Sequence, residues 1–141
     1  MAQSWLFWAL LAAAFAALTA IFGKVGVAGV NADLATLIRT VVILIVITII
    51  VVSTGQWQPL ASISSKTWIF LCLSGLATGA SWLAYYRALK LGDASRVAPV
   101  DKLSIVLVAI FGIVFLGEKL DPVHWLAVGM IASGAIMLAV F

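Results

Sequence analysis

The chain has 141 residues, of which 65% are hydrophobic and only 9% charged, where a soluble domain averages about 25% charged. No soluble core of this size could hide so much apolar surface, so lipid is the expected solvent. The net charge of +3 is scattered through the connections and leaves no nucleic-acid footprint. Metal-ligand spacings, a phosphate loop and a nucleophile–base pair are all missing.

A bilayer core about 30 Å thick takes ~20 apolar residues per helical span. Five runs reach that length, at about residues 4–22, 34–53, 67–89, 97–116 and 123–140. They are continuous rather than alternating, which argues against barrel strands, and lipid offers no partner for free backbone amides. The predicted fold is therefore all-α, a single polytopic membrane domain over residues 1–141 with five transmembrane helices.

The first run resembles a signal peptide in its "AAAFAA" stretch, but no Lys or Arg precedes it, and a basic n-region is expected of a cleaved signal. Ala9, Ala13, Ala16, Ala17 and Ala20 share one stripe of this helix. The second run carries Arg39 inside "LIRTVV". The third carries Gly75-x-x-x-Gly79, and the fifth carries Gly129-x-x-x-Ser133. Small residues at this spacing let helices approach closely in lipid, so these four are expected at helix-packing faces. Cys72 is the only cysteine, so no intrachain disulfide can form.

Gly75, Thr78, Gly79, Trp82, Tyr85 and Tyr86 fall at helical steps of three and four on the third run. Tyr and Trp present an apolar body with a polar tip, which suits a cavity wall. Interfacial anchoring is the alternative, stronger for Tyr86 than for the deeper Trp82. The fourth run opens "SRVAPVDKLS". Pro99 is expected in the first helical turn, where its missing N–H costs nothing, after a "GDAS" turn with Ser95 as cap. Asp101 and Lys102 then lie about one turn deep. Two readings of Arg39 and Asp101 stand side by side: a structural ion pair with snorkelling lysines around it, or a substrate or proton site near one mouth. The middle of every span lacks a carboxylate, so proton coupling is not demanded. Glu118, in "LGEKL", is expected to close the fourth span's outer loop, paired with Lys119 or Lys66. His124 reads as a lone loop residue before Trp125, and no enzyme activity is expected.

Five spans place the termini on opposite sides. Lys24, Arg87, Lys90 and Arg96, with Arg39 and Lys102 near the same ends, lie on the C-terminal side. Lys66 and Lys119 lie on the other. The positive-inside rule then favours a cytoplasmic C-terminus and an outward N-terminus. Trp5, Trp8, Trp57, Trp68 and Trp125 gather near the N-terminal side, which shows that the two faces differ.

The run "ASWLAYYRALKLGDASRVAPVDKLSIVLVAIFGIVFLGEKL", Ala80 to Leu120, resembles the EamA-type membrane domain of the drug/metabolite transporter superfamily. The "RTVV" of the second span, Trp125 and the small residues of the fifth extend the resemblance to the whole chain. Each motif is weak alone; their order across five spans carries the match. The resemblance implies one half of an inverted-repeat, ten-helix transporter fold, completed by a dimer, with antiparallel protomers favoured. Six basic residues against two speak against dual insertion, so a parallel dimer and a heteromer stay open. It implies a secondary transporter in the inner membrane that exports small metabolites or drugs by alternating access, without a cofactor or a metal. A non-transporting membrane subunit or scaffold is the alternative. The expected substrate-binding residues are Arg39, Thr78, Trp82, Tyr85, Tyr86, Asp101, Lys102 and Ser104.

Overall fold

The computed structural model describes residues 5–141, and the start of the first predicted span at residue 4 lies outside them. The described residues form α1 (Trp5–Val27), α2 (Ala32–Ser53), α3 (Ser65–Leu91), α4 (Ala94–Asp101), α5 (Ser104–Leu116) and α6 (Pro122–Val140), with a 3-10 turn at Leu60–Ser62 and no strand. Five stretches are long and apolar enough to cross a membrane: α1, α2, α3, α4 with α5, and α6. Only 0 to 11% of each span's apolar stretch is buried within the chain. Such exposure is untenable in water, but lipid tails are as apolar as Leu and Ile.

Local chemistry sets several helix ends. Asn31 caps α2, its side-chain oxygen accepting from the Asp33 N–H at 2.8 Å and the Leu34 N–H at 3.4 Å, which satisfies donors left free by the first turn. The Ser64 hydroxyl accepts from the Thr67 N–H at 3.2 Å ahead of α3. Pro122 opens α6, where a missing N–H is harmless. Gly117 ends α5 in the left-handed region, φ 68°, and turns the chain so that the Glu118 N–H reaches the Gly112 carbonyl at 3.1 Å.

Several features differ from expectation. The first helix runs on through Gly23 and Gly26 to Val27, although each interior glycine costs about 1 kcal/mol relative to alanine. Its last turn is held by packing: Val27 is 1% exposed and Leu89 fully buried. The fourth span begins at Ala94 after Asp93, ahead of the expected cap at Ser95 and the expected span start at 97, so Pro99 stands in the interior of α4. That span is also broken at 102–103. The N–H groups of Lys102, Leu103, Ile105 and Val106 bond three residues back, to Pro99, Val100, Lys102 and Leu103, at 3.0–3.1 Å, a 3-10 stretch between two α-helices. Finally, His124 lies in the first turn of α6 rather than in a loop, 3.8 Å from Asp121.

The residues group into two compact units. Phe22–Lys90 forms one; Leu91–Phe141, with the chain up to Ile21, forms the other. In the first, the buried residues are Gly23, Val27, Ala32, Thr36, Tyr86 and Leu89. They gather where the last turns of α1 and α3 meet the first turns of α2. In the second, α6 packs along both α4 and α5.

Candidate functional site

The Phe22–Lys90 unit holds five cations, Lys24, Arg39, Lys66, Arg87 and Lys90, against a single carboxylate, Asp33. That imbalance decides how its charges are partnered. Arg87 takes Asp33 in a two-pronged bond, Nε to Oδ1 at 2.9 Å and Nη2 to Oδ2 at 2.8 Å. Lys24 Nζ donates to the Leu89 carbonyl at 2.7 Å and Lys90 Nζ to the Val30 carbonyl at 2.6 Å. Two lysines thus satisfy carbonyls at or just beyond helix ends, where positive charge also suits the helix dipole. These bonds tie α1, α2 and α3 together at one end. The Arg87–Asp33 fork is 62% and 49% exposed on its two side chains, so water or headgroups screen it. Asp33→Asn is expected to lower the melting temperature only slightly, and Arg87→Lys to match it, as measured by thermal unfolding in detergent.

Arg39 is different. It lies seven residues into α2, about 10 Å from its start at 1.5 Å per residue, and is half-buried. Its guanidinium carbon stands 4.0 Å from the Trp82 ring centroid and 5.4 Å from that of Tyr86. Tyr86 is 5% exposed. Its hydroxyl lies 3.0 Å from where a Cβ on Gly23 would stand, so the glycine makes room for the ring. Tyr85 meets Tyr86 with centroids 6.3 Å apart. The Thr78 hydroxyl bonds back to the Ser74 carbonyl at 2.8 Å. Trp82, Tyr86 and Arg39, expected from the sequence as lining residues, are thus brought into one cluster, with Tyr85 at its margin. Gly23 was not anticipated. Its signal would have been a glycine at the end of an alanine-rich helix, which looks like a turn.

In the other unit Asp101 bonds to its neighbour Lys102, Oδ2 to Nζ 3.2 Å. Within its own unit Arg39 meets aromatic rings, and within the other Asp101 meets Lys102. Asp101 ends α4, Lys102 lies in the break, and Ser104 opens α5. Arg96 Nη2 donates to the Ala139 carbonyl at 2.7 Å, another cation on a terminal carbonyl. Within its unit Glu118 forms no ion pair with Lys119 among the described residues. It folds back on Gly112, where a Cβ would sit 2.6 Å from Oε2, beside a depression lined by Val108, Phe111, Phe115 and Leu116. A Cβ on Gly75, Gly79 or Gly129 would meet nothing within 4 Å, and the Ser133 hydroxyl bonds back to the Gly129 carbonyl at 2.8 Å. Among the described residues of their own units these four small residues face open space or their own helix. No group of His, Cys, Asp and Glu side chains among the described residues could hold a metal ion.

A five-span chain with one broken span matches the EamA-like transporter family over residues 3–140. The chain belongs to the EamA-like transporter family. That family lies within the drug/metabolite transporter superfamily. Over all 141 residues the chain is 72% identical to the full length of a Sinorhizobium sp protein named "Uncharacterized transporter in cobO 3'region". Over 86 residues, 61% of this chain and 76% of the relative, it is 28% identical to a Hamiltonella defensa subsp. Acyrthosiphon pisum (strain 5AT) protein. That relative is named "Probable 4-amino-4-deoxy-L-arabinose-phosphoundecaprenol flippase subunit ArnE". No solved structure matches. This EamA-type chain is a multi-pass membrane protein of a transporter family.

Proposed function

We propose that the chain is a secondary transporter that exports small metabolites or drugs across the inner membrane, working as a five-span domain in a dimer by alternating access. The observation that carries this reading is the match to a transporter family over residues 3–140. Two structural features support it. The fourth span is discontinuous at 102–103, and broken helices with irregular backbone are how many transporters build sites and hinges within the membrane. The spans also leave most of their surface uncovered, which gives a second copy ample area to close a cavity. The substrate-contacting residues are Arg39, Thr78, Trp82, Tyr85 and Tyr86 in one unit, and Asp101, Lys102 and Ser104 around the break in the other. Gly75, Gly79, Gly129 and Ser133 offer smooth faces for the partner.

The test is export. Cells overproducing the chain should release at least one metabolite faster than cells carrying an empty vector, read by mass spectrometry of the medium. Asp101→Asn and Trp82→Ala should abolish the difference at equal membrane abundance. If both variants export normally, the site assignment fails.

A second reading is a non-transporting subunit that partners another membrane protein. The word "subunit" in the name of the Hamiltonella relative favours it. Orientation separates the assemblies. Single cysteines in place of Gln56 and Phe141, in a Cys72→Ser background, can be probed with an impermeant thiol reagent from outside. The six-to-two charge bias predicts strong labelling at position 56 and little at 141, which points to a parallel dimer or a heteromer. Comparable labelling at both positions would mean dual insertion and an antiparallel homodimer.

A further inference from the structure

Arg39 has a problem that its neighbours do not. Lys24 and Lys90 rest on backbone carbonyls, and Arg87 occupies Asp33, the only carboxylate of residues 22–90. Lys66 begins α3 at the opposite end from Trp82 and Tyr86. Arg39 has only ring faces: Trp82 at 4.0 Å and Tyr86 at 5.4 Å. Contact with ring faces takes up none of the five N–H donors of the guanidinium in a hydrogen bond to an oxygen. No acceptor of its own unit bonds it. A cation inside a span is costly and ordinarily has an anionic partner. Here the two rings hold the guanidinium in place, while no anionic partner bonds it within this unit.

We propose that Arg39, braced by Trp82 and Tyr86, is the anchor for an oxyanion, a carboxylate or a phosphate, carried by an amphipathic ligand. The fork of a guanidinium matches two oxygens of either group. Burial of Tyr86 behind Gly23 limits its movement, so the site is pre-formed on one side. The apolar part of the ligand would lie toward the span interior, along the half-buried Trp82 and the open stripe at Gly79. This inference deepens the transport reading and rests on it only for calling the ligand a substrate.

The test is equilibrium binding in nanodiscs of zwitterionic lipid, followed by tryptophan fluorescence and by calorimetry. The probes are phenyl phosphate, phenylacetate, benzyl alcohol and benzylamine. The two anions should saturate, and benzyl alcohol and benzylamine should bind at least about tenfold more weakly, the scale of one charge-assisted bond. Arg39→Gln should remove that preference. Arg39→Lys should keep anion selectivity with weaker binding, because an ammonium lacks the fork. Trp82→Phe should suppress the fluorescence change while calorimetry still detects the anion. Added phosphatidylglycerol distinguishes the source: competition assigns the site to a lipid headgroup, and its absence to a soluble anion. Equal binding of benzyl alcohol and the anions, or unchanged anion binding in folded Arg39→Gln, overturns the proposal. Should Arg39→Gln fail to fold, the selectivity of the unaltered chain and the Arg39→Lys variant still decide it. Anion binding without export of any compound would sink the transport reading alone. Export without anion selectivity would sink this inference alone.

Discussion

Gly23→Leu is expected to dislodge Tyr86 and with it the brace behind Arg39. A Cβ at position 23 already stands 3.0 Å from the Tyr86 hydroxyl, 3.3 Å from Cζ and 3.4 Å from Leu89 Cδ1. Alanine sets two effects against each other. Removing a glycine from a helix gains about 1 kcal/mol, while overpacking costs about 1–3 kcal/mol. The clash involves the tip of a ring that can tilt by a few tenths of an ångström, so Gly23→Ala should lie near neutral. Leucine adds three more carbons against Leu89, which is fully buried, and nothing there can yield cheaply. The expected outcome is destabilisation of about 3 kcal/mol or more and loss of the Arg39–Trp82 geometry. Thermal unfolding reads the first effect and Trp82 fluorescence the second. A stable Gly23→Leu protein with native fluorescence would show that the last turn of α1 does not pack on α3.

Pro99→Ala is expected to act in the opposite sense on stability and to impair function. Pro99 is the sixth residue of α4 and half-buried. Proline there removes one rung of the helix and sets its ring against the carbonyl four residues earlier. Alanine restores the N–H, and the helix-interior penalty of proline is about 3 kcal/mol. Because Pro99 stands near the end of a helix of only eight residues, a gain of roughly 1–2 kcal/mol in unfolding free energy is expected. If the broken fourth span is the moving part of the transport cycle, a more regular span should turn over more slowly. Export rate per molecule should therefore fall while the melting temperature rises. Higher stability with an unchanged export rate would mean that the break is a passive consequence of Pro99.

The five spans, the all-helical class and the family were legible in the sequence because each rests on local information. An uninterrupted apolar run of about 20 residues has one stable form in lipid, and the order of motifs from Ala80 to Leu120 follows the chain. Trp82 and Tyr86 were also legible, as members of one helical stripe with period 3.6. The start of α2 at Ala32, two residues ahead of the expected span start at 34, is set locally by the Asn31 cap. Helix ends were misread where distant contacts decide. Gly23 and Gly26 look like a turn, yet α1 continues because Val27 and Leu89 are buried there and Lys24 reaches the Leu89 carbonyl.

Partner choice is what only the tertiary structure decided. Arg39, Arg87 and Lys24 are interchangeable cations in the sequence, and Asp101 and Asp33 are interchangeable acids. Which cation meets which acceptor depends on the registry of helices separated by up to 65 residues, as between Lys24 and Leu89. In lipid that registry is set by packing and by the few polar groups that must be satisfied, not by hydrophobic patterning. The residue types had announced a charged and aromatic mouth. The geometry gave the acid to Arg87 and left Arg39 on the rings of Trp82 and Tyr86, because one carboxylate cannot serve two guanidinium forks.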